Sequence, residues 1–126
     1  MNGIRVLIVD DSSVMRKIVD RSLRQAGLQI TEVHEASNGV EALTRLQEHR
    51  VDLILSDINM PTMDGLELVR QLQTVESVKG VPIVMITTEA GESNVVQALS
   101  TGARGYIRKP FSPDQIKERL IPLLER

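Results

Sequence analysis

The apolar segment Val6-Leu7-Ile8-Val9 leads directly into the acidic pair Asp10-Asp11. Four consecutive apolar residues without polar alternation are typical of a parallel strand that helices cover on both faces. A second segment of this kind, Ile83-Val84-Met85-Ile86, leads into Thr87. The two segments therefore predict a layered α/β domain in which polar side chains follow buried strands.

Three further strand candidates complete an alternation of strands and amphipathic helices along the chain. The five predicted strands are Ile4–Val9, Ile30–Ala36, Asp52–Ser56, Pro82–Thr87 and Gly105–Arg108. Between them, apolar residues recur every three or four positions, as in Leu66, Val69 and Leu72. This alternation predicts a (βα)₅ doubly wound fold, with a five-stranded parallel sheet and right-handed crossovers. Residues 1–126 are predicted to form a single domain with one layered core.

Helix-start signals support these boundaries. Asp64 precedes a helical segment and is followed three residues later by Glu67, which is a capping-box pattern. Ser112 is followed by Pro113, a residue favoured at the first helical position. Pro122 lies inside the last helical segment, where a proline is expected to end or kink the helix near its final turn.

Composition excludes several functional classes. The 126 residues carry 15 basic and 17 acidic side chains, and the resulting charge of −2 does not favour a nucleic-acid binder. The sequence contains no cysteine, so disulfides, thiolate metal sites and a cysteine nucleophile are excluded. No apolar segment reaches the length of a membrane span or a signal-peptide core, and we therefore expect a cytoplasmic protein.

Polar side chains stand at the ends of four of the five predicted strands. Asp10 and Asp11 follow the first strand and Asp57 the third, whereas Thr87 ends the fourth and Lys109 follows the fifth. Ligands of open parallel sheets bind outside the carboxyl ends of the strands, so these side chains are expected to converge. Two carboxylates about 5 Å apart repel by roughly 3 kcal/mol at an effective dielectric constant of about 20. A divalent cation would relieve that repulsion, and oxygen ligands of this kind suit Mg²⁺.

Phosphoryl chemistry fits this set of groups. An aspartate can act as a nucleophile and form an acyl phosphate. Mg²⁺ and Lys109 would offset charge on the transferring group, and Thr87 would donate a hydrogen bond to a phosphate oxygen. Each residue alone has an ordinary structural explanation, such as a turn or a helix cap. Their combined placement at four strand ends favours a functional site.

Several segments resemble, in order and spacing, the defining segments of the response-regulator receiver family. They are Leu7-Ile8-Val9-Asp10-Asp11, Asp57-Ile58-Asn59-Met60-Pro61, Met63-Asp64-Gly65, Ile86-Thr87 and Tyr106-Ile107-Arg108-Lys109-Pro110-Phe111. The resemblance covers essentially the whole chain. It implies a flavodoxin-like fold with strand order 2-1-3-4-5, and a cis peptide bond between Lys109 and Pro110.

The resemblance also implies roles for the acidic residues. Asp57 would be the phosphoacceptor, which receives its group from a phosphohistidine on a partner histidine kinase. Asp11 and Asp57 would bind Mg²⁺ directly. Asp10 would bind the ion through water, and Asn59 would bind it through its backbone carbonyl.

Further residues match the family's switching machinery. Thr87 and Lys109 would form the phosphate-sensing pair, and Tyr106 would be the aromatic switch. Three residues are candidates for tuning dephosphorylation, namely Asn59, Thr88 and Glu89; alanine or glycine is common in the family at the second of these positions. Such a protein is not an enzyme in the ordinary sense, but a phosphoacceptor that assists its own phosphorylation and dephosphorylation.

Within the family, Asp11-Ser12-Ser13-Val14-Met15-Arg16, together with Asn59 and Glu89, is most similar to free-standing chemotaxis regulators. The expected partners are a histidine kinase and a downstream protein, for which the flagellar motor switch is one candidate. We expect a monomer with no DNA-binding domain after Arg126. Pro122 interrupts the last helix, which belongs to the usual partner face, so motor binding stays open.

Three alternatives remain. A Mg²⁺-dependent aspartyl-phosphate phosphatase acting on small molecules would need a second carboxylate two residues after Asp57, where Asn59 stands. A flavodoxin-like carrier would need a Ser/Thr-rich phosphate cradle and flanking aromatic rings, but Tyr106 and Phe111 are the only aromatic residues. A receiver that acts without phosphorylation is disfavoured by the complete set of phosphorylation residues.

Overall fold

The computed structural model describes residues 3–87 and 92–124. Within them, strands and helices alternate, with one short 3₁₀ turn at Glu76–Val78. The strands are β1 (Ile4–Val9), β2 (Ile30–Ala36), β3 (Leu53–Asp57), β4 (Ile83–Thr87) and β5 (Gly105–Arg108). The helices are α1 (Ser13–Gln25), α2 (Gly39–Glu48), α3 (Gly65–Leu72), α4 (Glu92–Thr101) and α5 (Pro113–Leu124). No helix in these ranges is long and apolar enough to cross a membrane.

Neighbouring strands are parallel, and their order across the sheet is β2-β1-β3-β4-β5. The predicted (βα)₅ architecture and strand order 2-1-3-4-5 are confirmed. β1, β2 and β5 have the predicted bounds, whereas β3 begins one residue later, at Leu53, and includes Asp57. β4 begins at Ile83, because Pro82 has no N–H to donate to a strand ladder.

Apolar side chains cover both faces of the sheet, as the uninterrupted apolar segments predict. On one face, Leu7 and Met85 pack with α2, α3 and α4. On the other face, Ile8 and Val84 pack with α1 and α5. All four side chains are fully buried, and burial of each stabilises the fold by roughly 1.5–3 kcal/mol relative to exposure. The two apolar layers hold the sheet rigidly enough to fix the positions of its strand ends.

Both predicted helix-start signals are confirmed. Asp64 Oδ1 accepts a hydrogen bond from Glu67 N at 2.9 Å, directly before α3. Ser112 and Gln115 form a reciprocal box: Gln115 N donates to Ser112 Oγ at 3.3 Å, and Ser112 N donates to Gln115 Oε1 at 3.0 Å. α5 begins at Pro113, as the sequence predicts.

Pro122 lies inside α5, which continues to Leu124. The proline was expected to end or kink the helix near its final turn, and it does not end the helix at its own position. Proline removes one backbone N–H, but the loss falls in the last described turn, where little of the helix depends on it. Ile116 and Leu120 remain buried against the sheet, and this packing stabilises α5 on the N-terminal side of the missing bond.

The carboxyl ends of the parallel strands lie at one edge of the sheet. Asp10 follows β1, and Asp57 ends the neighbouring β3, which is the central strand of the sheet. Thr87 ends β4, and Lys109 follows β5. The strand order therefore brings together residues that are far apart in the sequence.

Candidate functional site

Three carboxylates form a cluster at this edge. Asp10, Asp11 and Asp57 each offer one carboxylate oxygen, and these oxygens all lie within 4.8 Å of one another. The burial of the three groups differs: Asp10 is only 3% exposed, Asp57 is half-buried and Asp11 is exposed. One carboxylate therefore lies deep in the site while another remains open to solvent, which suits the binding of a cation from solution.

Asp10 is held in place by bonds at both ends of the residue. Its N–H donates to the carbonyl oxygen of Ala36 at 3.0 Å, which extends the pairing of β1 with β2 by one bond. Its Oδ1 accepts from the N–H of Ser12 at 2.9 Å. Its Oδ2 lies 3.4 Å from Lys109 Nζ. Each oxygen of this buried carboxylate therefore has a partner, and the two contacts fix its orientation.

Lys109 lies between two of the carboxylates. Its Nζ is 3.4 Å from Asp10 Oδ2 and 3.9 Å from Asp57 Oδ2. Its backbone N–H donates to the Thr87 carbonyl oxygen at 2.6 Å, which ties the ends of β4 and β5 together. The Lys109–Pro110 peptide bond is cis, in agreement with the family resemblance. The ammonium group is thus placed to offset negative charge at Asp57.

The environment of Asp57 raises the pKa of its carboxyl group above the ordinary value. Burial is the main cause, and the negative charge of Asp10 adds to it. The Lys109 ammonium and hydrogen bonds from the backbone N–H groups of Ile58 and Asn59 act in the opposite direction. The bond from Ile58 N to Asp57 Oδ1 is 2.8 Å long. The ionised form of Asp57 is therefore destabilised relative to that of an exposed aspartate, and a bound cation would reduce this destabilisation.

Gly65 allows the loop after Asp57 to return closely to β3. Its N–H donates to the carbonyl oxygen of Ile58 at 2.8 Å. A Cβ at this position would lie closer than 3.0 Å to the carbonyl oxygen of Asp57 and to the Cα of Ile58. The capping pattern at Asp64 predicted the helix start beside Gly65 but not this requirement. A glycine directly after a capping residue is the signal that could have indicated it.

Thr87 and Tyr106 lie on neighbouring strands and on the same face of the sheet. Thr87 is buried at the end of β4, with only 3% of its surface exposed. Tyr106 is the second residue of β5, pairs with Met85 and is half-buried. The Arg119 guanidinium lies 5.1 Å from the centre of its ring. Tyr106 is therefore two residues short of the strand end, diagonal to Thr87 rather than opposite it.

Of the remaining predicted site residues, one is described by the structure and two are not. Asn59 is exposed in the loop after β3, and its N–H helps to lower the pKa of Asp57. Thr88 and Glu89 lie outside the described residues. The roles assigned to all of these side chains, including the ligand roles of the three aspartates, stay predictions.

Comparison with known proteins identifies relatives over nearly the whole chain. Residues 6–121 match the family described as the response regulator receiver domain. The chemotaxis protein CheY1 of Helicobacter pylori is 42% identical over 121 residues, which are 95% of this chain and 96% of that protein.

Solved structures agree with this similarity. The chemotaxis response regulator CheY4 of Vibrio cholerae superposes with a TM-score of 0.84 at 38% identity, covering 98% of this chain and all of that one. The receiver domain of a sensor histidine kinase from Pseudomonas aeruginosa gives a TM-score of 0.84 at 26% identity, covering 99% of this chain and all of that one. The latter structure has a magnesium ion coordinated in its active site cleft.

Proposed function

This chain belongs to the response regulator receiver domain family, and we propose that it signals by carrying a phosphoryl group on Asp57. The observation that best supports Asp57 is its position, half-buried and 3.9 Å from Lys109 Nζ within the carboxylate cluster. Family membership implies a histidine kinase as the partner that supplies the group. The phosphorylated form would then bind a downstream protein differently from the unphosphorylated form.

Mg²⁺ fits the donor set at this site. The cluster consists of three carboxylates, and hard oxygen ligands are those that Mg²⁺ prefers. Asp11 and Asp57 would bind the ion directly, Asp10 through water and Asn59 through its backbone carbonyl. When bound, the ion would supply positive charge beside the incoming phosphoryl group. The magnesium-containing receiver domain from Pseudomonas aeruginosa supports this choice of cation.

The proposed reaction is transfer of a phosphoryl group from nitrogen to oxygen. A carboxylate oxygen of Asp57 forms a bond to phosphorus, and the P–N bond of the phosphohistidine breaks. The electron pair of that bond remains on the histidine nitrogen, which takes a proton and leaves as neutral imidazole. Lys109 would offset the negative charge of the phosphoryl oxygens, and the Thr87 hydroxyl would donate a hydrogen bond to one of them.

We do not propose an enzyme in the ordinary sense, because the phosphoryl group remains on the protein's own carboxylate. The chain would assist its own phosphorylation and dephosphorylation, with Asn59, Thr88 and Glu89 as candidates for setting the rate of phosphate loss. A small-molecule phosphatase has less support. The exposed amide of Asn59 cannot serve as the acid/base carboxylate that such an enzyme needs two residues after its nucleophile.

We propose chemotaxis as the pathway, with a cytoplasmic monomer as the working form. The 42% identity to chemotaxis proteins over nearly the whole chain supports this choice, and the flagellar motor switch is one candidate partner. Tyr106 would report phosphorylation, because it shares a sheet face with Thr87 and packs against the core on that face. A Thr87 hydroxyl drawn toward the phosphate would change the space beside the Tyr106 ring.

Acetyl phosphate with Mg²⁺ is expected to add one phosphoryl group to the wild-type protein, because the activated carboxylate needs no kinase surface to meet a small donor. Intact-mass spectrometry measures the adduct, and hydroxylamine should remove it, as it removes an acyl phosphate. Chelation of Mg²⁺ is the control and should slow incorporation strongly. An adduct that resists hydroxylamine, or none at all, would contradict the proposed function.

Asp57→Asn is expected to stabilise the metal-free protein at neutral pH by about 1 kcal/mol, or roughly 3–5 °C in melting temperature. The raised pKa of Asp57 means that the folded state binds more protons than the unfolded state above the ordinary aspartate pKa. Wild-type stability should therefore fall as pH rises through the folded pKa, and the variant should not share this fall. Melting curves at pH 4 and pH 7.5 in low salt measure the difference.

Asp52→Asn is the matched control for this experiment. The hydrogen bond from the Arg5 guanidinium lowers the pKa of Asp52, so the same substitution there should destabilise the protein at neutral pH. That loss should disappear as pH falls through the folded pKa of Asp52.

Millimolar Mg²⁺ should raise the melting temperature of the wild type more than that of Asp57→Asn. A wild-type melting temperature that Mg²⁺ leaves unchanged would contradict the proposed metal site.

A further inference from the structure

The Arg16 side chain contacts the loop that carries Asp10 and Asp11, called here the acidic loop. It does so at a backbone carbonyl of that loop rather than at a carboxylate. Its Nη1 donates to the carbonyl oxygen of Asp10 at 2.6 Å, and its Nε donates to Glu35 Oε1 at 2.7 Å. The Arg16 side chain is 15% exposed, whereas that of Glu35 is 42% exposed. The guanidinium is thus fixed between the turn that follows β1 and the end of β2.

These bonds complete the restraint of the turn that carries Asp10 and Asp11. The N–H of Asp10 is held by Ala36, and its Oδ1 by the N–H of Ser12. The N–H of Arg16 donates to the Ser12 carbonyl at 3.0 Å as α1 begins. The carbonyl of Asp10 is the remaining backbone group of that residue, and Arg16 holds it. Arg16 therefore holds the peptide between the two aspartates at its carbonyl, while the N–H groups of Asp10 and Ser12 hold the peptides before and after it.

The position of Arg16 is unfavourable for helix stability alone. It stands four residues after the Ser12 cap, where the helix dipole favours acidic side chains, and the first turn of α1 contains none. Glu35, which lies in β2, offsets the positive charge of Arg16. Arg24 makes an ion pair of the same type with Asp20 at 2.8 Å, but the Arg24 side chain is 53% exposed and the pair lies within α1. The Arg16 pair, by contrast, joins α1 to the end of β2 beside the acidic loop.

We propose that Arg16, oriented by Glu35, is a positioning residue that fixes Asp10 and Asp11 in the geometry that binds the divalent cation. The inference rests on the proposed function, because it concerns the same carboxylate cluster. Residues that hold metal ligands in this indirect way typically change metal affinity by about 10–100-fold when replaced. In the sequence, Arg16 belongs to a segment that resembles the family, but that resemblance implies no role for it.

Charge and positioning predict opposite effects of removing Arg16. The guanidinium is positive and near the cluster, so its loss alone would leave Glu35 uncompensated and strengthen the binding of Mg²⁺. Loss of positioning would weaken binding, because the carboxylates would have to be ordered when the ion binds. The sign of the change in affinity therefore separates the two effects. A purely structural role would lower the free energy of unfolding and leave the affinity unchanged.

The test measures Mg²⁺ dissociation constants by amide NMR titration of four variants beside the wild type. Arg16→Met should weaken binding about tenfold, and Arg16→Lys, which keeps the charge but cannot bond both partners as a fork, should weaken it by a few-fold. Arg16→Met combined with Glu35→Gln leaves the net charge unchanged and should still weaken binding. Arg24→Met is the matched control and should bind Mg²⁺ as the wild type does.

Spectra without Mg²⁺ give a second, independent measurement. Arg16→Met should shift the amide resonances of Asp11 and Ser12, and Arg24→Met should leave them in place. If Arg16→Met does not fold, Arg16→Lys decides the question by the same two measurements. Unchanged or stronger Mg²⁺ binding in the Arg16 variants, with wild-type binding intact, would overturn the inference. Absence of Mg²⁺ binding in the wild type would instead overturn the proposed function, and the metal-free spectra would still test whether Arg16 orders the loop.

Discussion

Asp57→Asn is expected to abolish phosphoryl incorporation from acetyl phosphate. An amide has almost the same size as a carboxylate, and its oxygen could still accept the hydrogen bond that Ile58 N donates at 2.8 Å. The amide carries no negative charge and cannot form an acyl phosphate, so the loss should be complete rather than partial. Intact-mass spectrometry under conditions that fully modify the wild type measures the result.

Two further Asp→Asn substitutions show whether the loss is specific to Asp57. Asp11→Asn removes an exposed carboxylate of the cluster but keeps the acceptor, so incorporation should become slower without disappearing. Asp52 lies before β3, at the opposite edge of the sheet, and Asp52→Asn should leave the rate unchanged. A hydroxylamine-sensitive adduct on Asp57→Asn would place the acceptor elsewhere and make the assignment of Asp57 wrong.

Gly65→Ala is expected to lower the free energy of unfolding by about 3 kcal/mol. The added Cβ would lie closer than 3.0 Å to backbone atoms of Asp57 and Ile58, which cannot move without shifting the end of β3. The Met85 methyl group would also be too close, but it is the end of a flexible side chain. In an unhindered helix the same change would stabilise the protein by up to about 1 kcal/mol, so even the sign is informative. Urea denaturation measures it.

Gly105→Ala is the matched control for this substitution. Gly105 begins β5, and a Cβ there would meet no atom within 4 Å, so the change should alter the free energy of unfolding by less than about 0.5 kcal/mol. Gly65→Ala should also slow phosphorylation, because any adjustment moves Asp57 relative to Lys109. Stability equal to or above that of the wild type in Gly65→Ala would show that the loop tolerates a Cβ and contradict the close approach.

The fold could be predicted because its signals are local. Val6-Leu7-Ile8-Val9 is typical of a strand covered on both faces, and with the alternation of strands and helices it indicates a parallel sheet between helices. The capping residues Asp64 and Ser112 identify helix starts through bonds that span three residues, and the structure contains those bonds. Pro122 was expected to end or kink the last helix near its final turn, and it does not end the helix at its own position, because the buried residues Ile116 and Leu120 already hold α5 against the sheet.

The convergence of Asp10, Asp11, Asp57 and Lys109 could also be predicted from the sequence, since strand ends in a parallel sheet share one edge. The environment of each of these side chains could not be predicted in the same way. Asp10 and Asp11 are adjacent in sequence, yet one is buried and the other exposed. Tyr106 could be assigned to β5, but its contact with Arg119 depends on where α5 packs.

The amino-acid sequence alone predicted the α/β class, the alternation of elements and the chemical types gathered at one sheet edge. It did so because burial periodicity, capping and strand-end polarity act over a few residues at a time. The tertiary structure decided that Lys109 reaches both Asp10 and Asp57, that Gly65 must lack a side chain, and that Arg16 holds the acidic turn. Each of these depends on which strands and helices become neighbours, and that choice is made by packing of the whole core rather than by any local pattern.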